Sequence, residues 1–307
     1  MKKTLVVEGD MKIVSYAPSP NFNPLTASAA ELVENGFPAV PDDPKHQERF
    51  KRVWSRLKNK FHYIEPTFRV DREKIHGPRQ RRPEEGSSTS TNWSGALVNP
   101  PAGQTFRWLE GDWVIPAVDA PTENEWYYAS SWIGIDGDGS ADVFQAGVGS
   151  QVYRSGTLVT AEYYPWWEWF PASPVNITNF PINPGDMITM ILCSPNAAGS
   201  TTGTVYWTNV TTGASTNATL TAPAGTKLVG NCAEWIVEAP TVNGGQSALA
   251  DYGEVFFSVA EAYTNNSTLV NGGSQNNINM TAGGNVISDG NLITATVVQC
   301  LYAGARP

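Results

Sequence analysis

Ala233-Glu234-Trp235-Ile236-Val237-Glu238 is the stretch on which the fold turns. Its period is two: Glu234, Ile236 and Glu238 project from one face of an extended chain, and Ala233, Trp235 and Val237 from the other. Working outward, the same texture recurs at Phe106–Ile115, Trp126–Ile135, Val159–Trp169, Met187–Cys193, Thr204–Asn209, Ala218–Ala222, Val255–Ala260 and Leu292–Leu301. These are short runs of Val, Ile, Thr, Tyr and Trp, broken by Gly, Pro, Asn and Ser turns. No helical period longer than a turn or two and no internal repeat interrupts them. Residues 86–307 therefore read as one all-β domain, a two-sheet antiparallel β-sandwich. A domain of this size buries a core without help from disulfides. Cys193, Cys232 and Cys300 read either as small buried hydrophobes or as one disulfide plus a free thiol. Sequons begin at Asn92, Asn176, Asn209, Asn217, Asn265, Asn266 and Asn279, as a Ser/Thr/Asn-rich composition makes unavoidable.

Residues 1–85 have a different character. They hold 16 of the 20 Lys and Arg, 12 of the 29 Asp and Glu, and all three histidines, a charge near +4 against −13 for the remainder. The polar run Gly86-Ser87-Ser88-Thr89-Ser90-Thr91 marks the boundary. Asp43-Pro44 reads as a helix N-cap followed by proline at the first helical position. Phe50, Val53, Trp54, Leu57 and Phe61 then form an apolar stripe, with basic residues on the outer face. A shorter helix is expected over Ala27–Glu34, ended by Asn35-Gly36. Two short helices with one stripe need a surface to lie on.

The composition also removes chemistry. The chain carries −9 overall, which argues against a nucleic-acid or anionic-membrane partner, and no apolar run is long enough for a membrane-spanning helix. The β domain has no histidine and one lysine, Lys227, so it holds no Ser-His-Asp or Cys-His arrangement and no His-ligated zinc. It is rich instead in tryptophan beside carboxylates and glycines. Of the adjacent Trp166, Trp167 and Trp169, at least one must face away from the core, because strand neighbours point to opposite sides. Exposed tryptophans in a concave sheet make a platform for a sugar or a peptide.

Five blocks, in order, resemble the acid-active glutamic peptidases, the eqolisins: Asn92-Trp93-Ser94-Gly95, Trp132–Asp138, Phe144-Gln145-Ala146-Gly147, Trp166–Pro171 and Ala233–Glu238. The resemblance implies a concanavalin-like sandwich and an endopeptidase acting on proteins or peptides without a cofactor or metal. It implies a catalytic pair, Gln145 and Glu234, with Glu238 the competing carboxylate on the same strand face. Supporting roles around the cleft pass to Trp93, Trp132, Asp136, Trp166 and Glu168. In a Gly-rich turn, however, Asp136 and Asp138 serve equally well as caps of backbone N–H groups. Two other classes stay open. One is a glycoside hydrolase using Glu168 and Glu234; the other is a catalytically silent sugar- or peptide-binding module.

The resemblance further implies a secreted, monomeric enzyme made with a prosegment. Met1–Asp10 offers only Leu5, Val6 and Val7 before Glu8, which is no signal-peptide core. The charge split makes residues 1–85 an inhibitory prosegment. A basic segment of it is expected to lie over Glu234, to be released as carboxylates lose their charge below about pH 4, and to be cut around Pro83–Ser90.

Overall fold

The structure, a computed structural model, describes residues 2–8, 11–57, 59–81, 88–195 and 198–304. Part of the expected cleavage stretch, residues 83–87, lies outside them. Two antiparallel sheets pack face to face. The front sheet runs, in spatial order, Phe68–Val70, Val175–Ile177, Leu158–Phe170, Val143–Ser155, Trp126–Asp136, Ala233–Glu238, Trp93–Val98 and Asn276–Ala282. The back sheet runs Lys2–Glu8, Met11–Tyr16, Ala214–Thr221, Thr202–Asn209, Met187–Cys193, Phe106–Val114, Glu254–Thr264, Val297–Tyr302 and Asn285–Thr294. Asn276–Ala282 pairs with both sheets and closes one side of the sandwich.

The core between the sheets follows from the period-two pattern. Ile133, Phe144, Trp167, Trp169 and Trp235 of the front sheet meet Leu109, Trp113, Met190, Leu192 and Trp207 of the back sheet. All three cysteines are free thiols, so no disulfide forms. Of the sequon asparagines, Asn92, Asn176, Asn209 and Asn217 are buried. Among the described residues no helix is long and apolar enough to cross a membrane.

The N-terminal region wraps this sandwich. Met11–Tyr16 extends the back sheet beside Ala214–Thr221. Helix Ala29–Glu34 opens with a capping box between Ser28 and Glu31. Helix Pro44–Leu57 opens with Asp43 accepting from His46 N–H at 2.9 Å. This helix ends a turn before Phe61, which the chain folds back into the same cluster with Phe37, Trp54 and Leu57. The helix lies on the outer face of the back sheet, against Trp108, Glu110, Ile191 and Tyr206. The helix therefore lies on the face opposite Glu234, and another basic segment of the same region, residues 74–81, lies on the Glu234 face. The helix's apolar stripe packs with Phe37, Leu32 and Phe61 of the same region, its His46 fits edge-on against Trp108 and Tyr263 of the back sheet, and its Arg49 pairs with Glu110 and with Glu261 at 2.8 Å. The chain then rounds the edge: Phe68–Val70 joins the front sheet, and residues 74–81 run across its outer face.

Candidate active site

Four adjacent strands bring the key side chains into one row. Glu168 pairs in register with Gln145, Gln145 with Gly134, and Gly134 with Glu234. The next row holds Trp166, Gly147, Trp132 and Ile236, and the one after it Tyr164, Gly149, Ser130, Glu238 and Trp93. All belong to the outer face, because alternate residues of the same strands fill the core. The glycines make room for the rings. A Cβ on Gly134 would stand 2.8 Å from the Trp132 ring, and one on Gly149 2.4 Å from the Tyr164 ring. The space over Gly134, between the Gln145 and Glu234 strands, is taken by the edge of the Trp132 ring.

Residues 74–81 occupy this face, and His76 sits at the centre. Its ring stacks on Trp166 at 3.6 Å and 6°. Its Nδ1 lies 2.9 Å from Glu238 Oε2, an oxygen that also accepts the Trp132 indole N–H at 3.0 Å. Its backbone N–H donates to Glu168 at 2.9 Å, and its carbonyl accepts from the side-chain amide of Gln145. Arg79 and Arg81 both pair with Asp138, Arg79 at 3.6 Å. His76, Gln145, Glu168 and Glu234 are completely buried beneath this cover.

Burial dominates the electrostatics. It pushes the Glu234 carboxyl well above its ordinary value of 4.5, the charges of Asp136 and Asp138 push the same way, and the Cys232 thiol and Arg79 work against it. Neither Glu234 oxygen makes a well-formed hydrogen bond, and Glu168 Oε1, Glu238 Oε1 and Gln145 Oε1 also lack one. Desolvation raises Glu168 well above 4.5 despite the His76 N–H. Glu238 is raised for the same reason, with His76 opposing. So many unsatisfied buried oxygens on one face mark a site built to receive donors.

Gln145, Glu234, Glu168, Trp132, Trp166 and Trp93 all share this face, Trp93 edge-on to Trp132 at 4.9 Å. Of the tryptophan triplet, Trp166 alone faces outward, while Trp167 and Trp169 lie in the core. It is not an open platform, since His76 covers it. Asp136 plays a different part: it accepts N–H groups of Val229 and Asn231 at 2.7 and 3.0 Å, and so holds the loop leading to Glu234. Burial first, with Asp142 adding, raises it to about 7. Asp138, read as a turn cap, binds arginines. Sequence reasoning missed His76 and Arg79; the only signal was a lone histidine in the run Lys74-Ile75-His76-Gly77-Pro78. Among the described residues no group of His, Cys, Asp or Glu is placed to hold a metal ion.

Residues 91–302 match the Peptidase A4 family. Aspergillopepsin-2 of Aspergillus niger is 30% identical over 198 residues, which cover 59% of this chain and 67% of that protein. The crystal structure of aspergilloglutamic peptidase from Aspergillus niger superposes with a TM-score of 0.52 at 29% identity, covering 58% of this chain and 99% of that one. Scytalido-glutamic peptidase, solved with a peptide-based transition-state analog, superposes with a TM-score of 0.57 at 23% identity, covering 69% of this chain and 98% of that one. This chain belongs to the Peptidase A4 family, the glutamic peptidases or eqolisins, and is an endopeptidase of that type.

Proposed function

We propose that Gln145 and Glu234 form the catalytic pair of an acid-acting endopeptidase. The observation that carries this reading is a peptide carbonyl, that of His76, accepting from the Gln145 amide on the same face as Glu234. Peptide hydrolysis needs a base for water, a donor for the oxyanion and an acid for the leaving amine. Ionised Glu234 takes a proton from a water beside its carboxylate, and the hydroxide attacks the carbonyl carbon. The Gln145 NH₂ donates to the oxygen as it gains charge. Glu234 then passes its proton to the departing nitrogen, and the C–N bond breaks. A neutral amide suits this task because, unlike a second carboxylate, it does not raise its neighbour's pKa through like-charge repulsion.

A glycoside hydrolase using Glu168 and Glu234 fits less well. Their strands are three spacings apart, about 14 Å, against the ~5–9.5 Å between carboxylates that such chemistry uses. The N-terminal region is the enzyme's own inhibitor in this reading, with residues 74–81 filling the cleft and the helix Pro44–Leu57 anchoring them from behind. The direct test is digestion of casein by the acidified full chain beside a polysaccharide panel. Protein cleavage in acid, unaffected by EDTA or by a pepstatin-type inhibitor of paired aspartates, is the expected result. Sugar release without proteolysis, or loss of activity on chelation, overturns it.

A further inference from the structure

His76 is held more specifically than a cover requires. Four separate groups read it: Trp166 by its face, Glu238 at the ring nitrogen, Glu168 at the backbone N–H and Gln145 at the carbonyl. The last contact fixes the register. The carbonyl that meets the oxyanion donor belongs to the residue on the N-terminal side of the bond to be cut, so the bond presented is His76–Gly77. We infer that Trp166 and Glu238 form a specificity pocket for that residue, and that the pocket selects histidine.

This inference rests on the Gln145–Glu234 reading and adds the substrate class to it. In acid a substrate histidine is an imidazolium, and the pocket offers both things it needs. An indole face takes the flat cation, and a carboxylate oxygen takes the ring N–H. A phenyl ring would stack on Trp166 but give Glu238 no donor beyond the Trp132 N–H it already accepts. A lysine ammonium would reach Glu238 but present no face to Trp166. A buried acceptor left unpaired is what makes such a pocket reject the wrong side chain. Selection falls on this side of the bond, because a Cβ built on Gly77 meets nothing closer than 3.9 Å. The residue after the cut is free to vary.

The experiment is a cleavage-site profile. The acidified full chain is given a mixture of peptides from denatured proteins, and the new termini are read by mass spectrometry. Histidine should be enriched on the N-terminal side of the cuts, by about tenfold or more over its frequency in the mixture. The bond His76–Gly77 in the enzyme's own chain should appear among them. Glu238→Gln should reduce the ratio of kcat/KM for a histidine peptide to that for its phenylalanine counterpart by about tenfold. Cuts without histidine enrichment, or enrichment on the other side, overturn the pocket while leaving the peptidase standing. An unchanged ratio in Glu238→Gln removes Glu238 from it. No cleavage of any peptide overturns the peptidase reading, and the pocket with it.

Discussion

The N-terminal region grips the sandwich on both faces, and the two contacts are built on opposite principles. On the back, Arg49 sits between Glu110 and Glu261, and His46 fits edge-on against Trp108 at 4.6 Å. Charges there meet charges over a bed of aromatics. On the front, Glu168, Glu234 and Glu238 are buried under a segment that pairs them incompletely. Burying polar groups without partners costs free energy, so the front contact gains little stability from its own carboxylates. The back contact holds; the front contact covers the face of the proposed catalytic pair. A domain that keeps a reactive cleft closed can leave the cleft poorly satisfied only if adhesion is supplied elsewhere.

That division is broken most forcefully at Glu234. Glu234→Gln is nearly isosteric and should reduce casein turnover by a hundredfold or more, the scale of losing a general base, with an unchanged circular dichroism spectrum and melting temperature. Retained turnover would move the chemistry elsewhere on the face, with Glu238 the first alternative. Gln145→Ala should cost on the order of a hundredfold, as loss of an oxyanion donor does. The back contact is probed by Arg49→Ala. Removing the guanidinium leaves Glu110 and Glu261 with His46 alone between them, and the N-terminal region should bind less well by roughly 1–3 kcal/mol. Arg49 is far from the cleft, so kcat of the acid-activated enzyme should not change. A drop in kcat would show that the two contacts are not separable.

The sequence carried the strands of the catalytic row because their period is two and their neighbours are large. Ala233–Glu238 and Met187–Cys193 have the bounds their residues predict. It carried the two helices through local signals, Ser28 with Glu31 and Asp43 before Pro44. Leu292–Leu301 misled as a single strand, because Thr294, Ala295 and Thr296 hide a turn between Asn285–Thr294 and Val297–Tyr302 without glycine or proline. The course of residues 74–81 was not legible at all. His76 bonds partners 92 and 162 positions away, and no local pattern encodes contacts of that range. Charge arithmetic found that the N-terminal region would bind the acidic domain, but a net charge has no address. It could not say which part of the region would lie on which face.

The smallest effect is also the one that decides what acid does. Glu261 is held below its ordinary 4.5; burial raises it, but His46 and Arg49 together outweigh burial. Its contribution to docking is therefore complete above about pH 4.5 and is lost as pH falls through the lowered value. Asp71 is also lowered, by Lys74 against burial, but that pair is internal to the N-terminal region, and it is the bond from Asn176 that ties its carboxylate to the sandwich. The covered carboxylates of the cleft have the opposite sign. Glu234, Glu168 and Glu238 are raised, so covering them is easiest when they are protonated, and acid alone favours a closed front. Glu110, raised by burial to about 7, adds to that side. Release below pH 4.5 is then expected to be driven from the Glu261–Arg49 pair rather than from the cleft. Glu261→Gln should weaken docking at pH 6 by about 1 kcal/mol or less, and should flatten the change in docking between pH 6 and pH 3. Binding of the N-terminal region, followed by protection of the strand Met11–Tyr16 from hydrogen exchange, reads both. If the variant opens as steeply as the parent chain, the acid sensor is not on the back face, and the comparison between the two contacts has to be redrawn around Asp71.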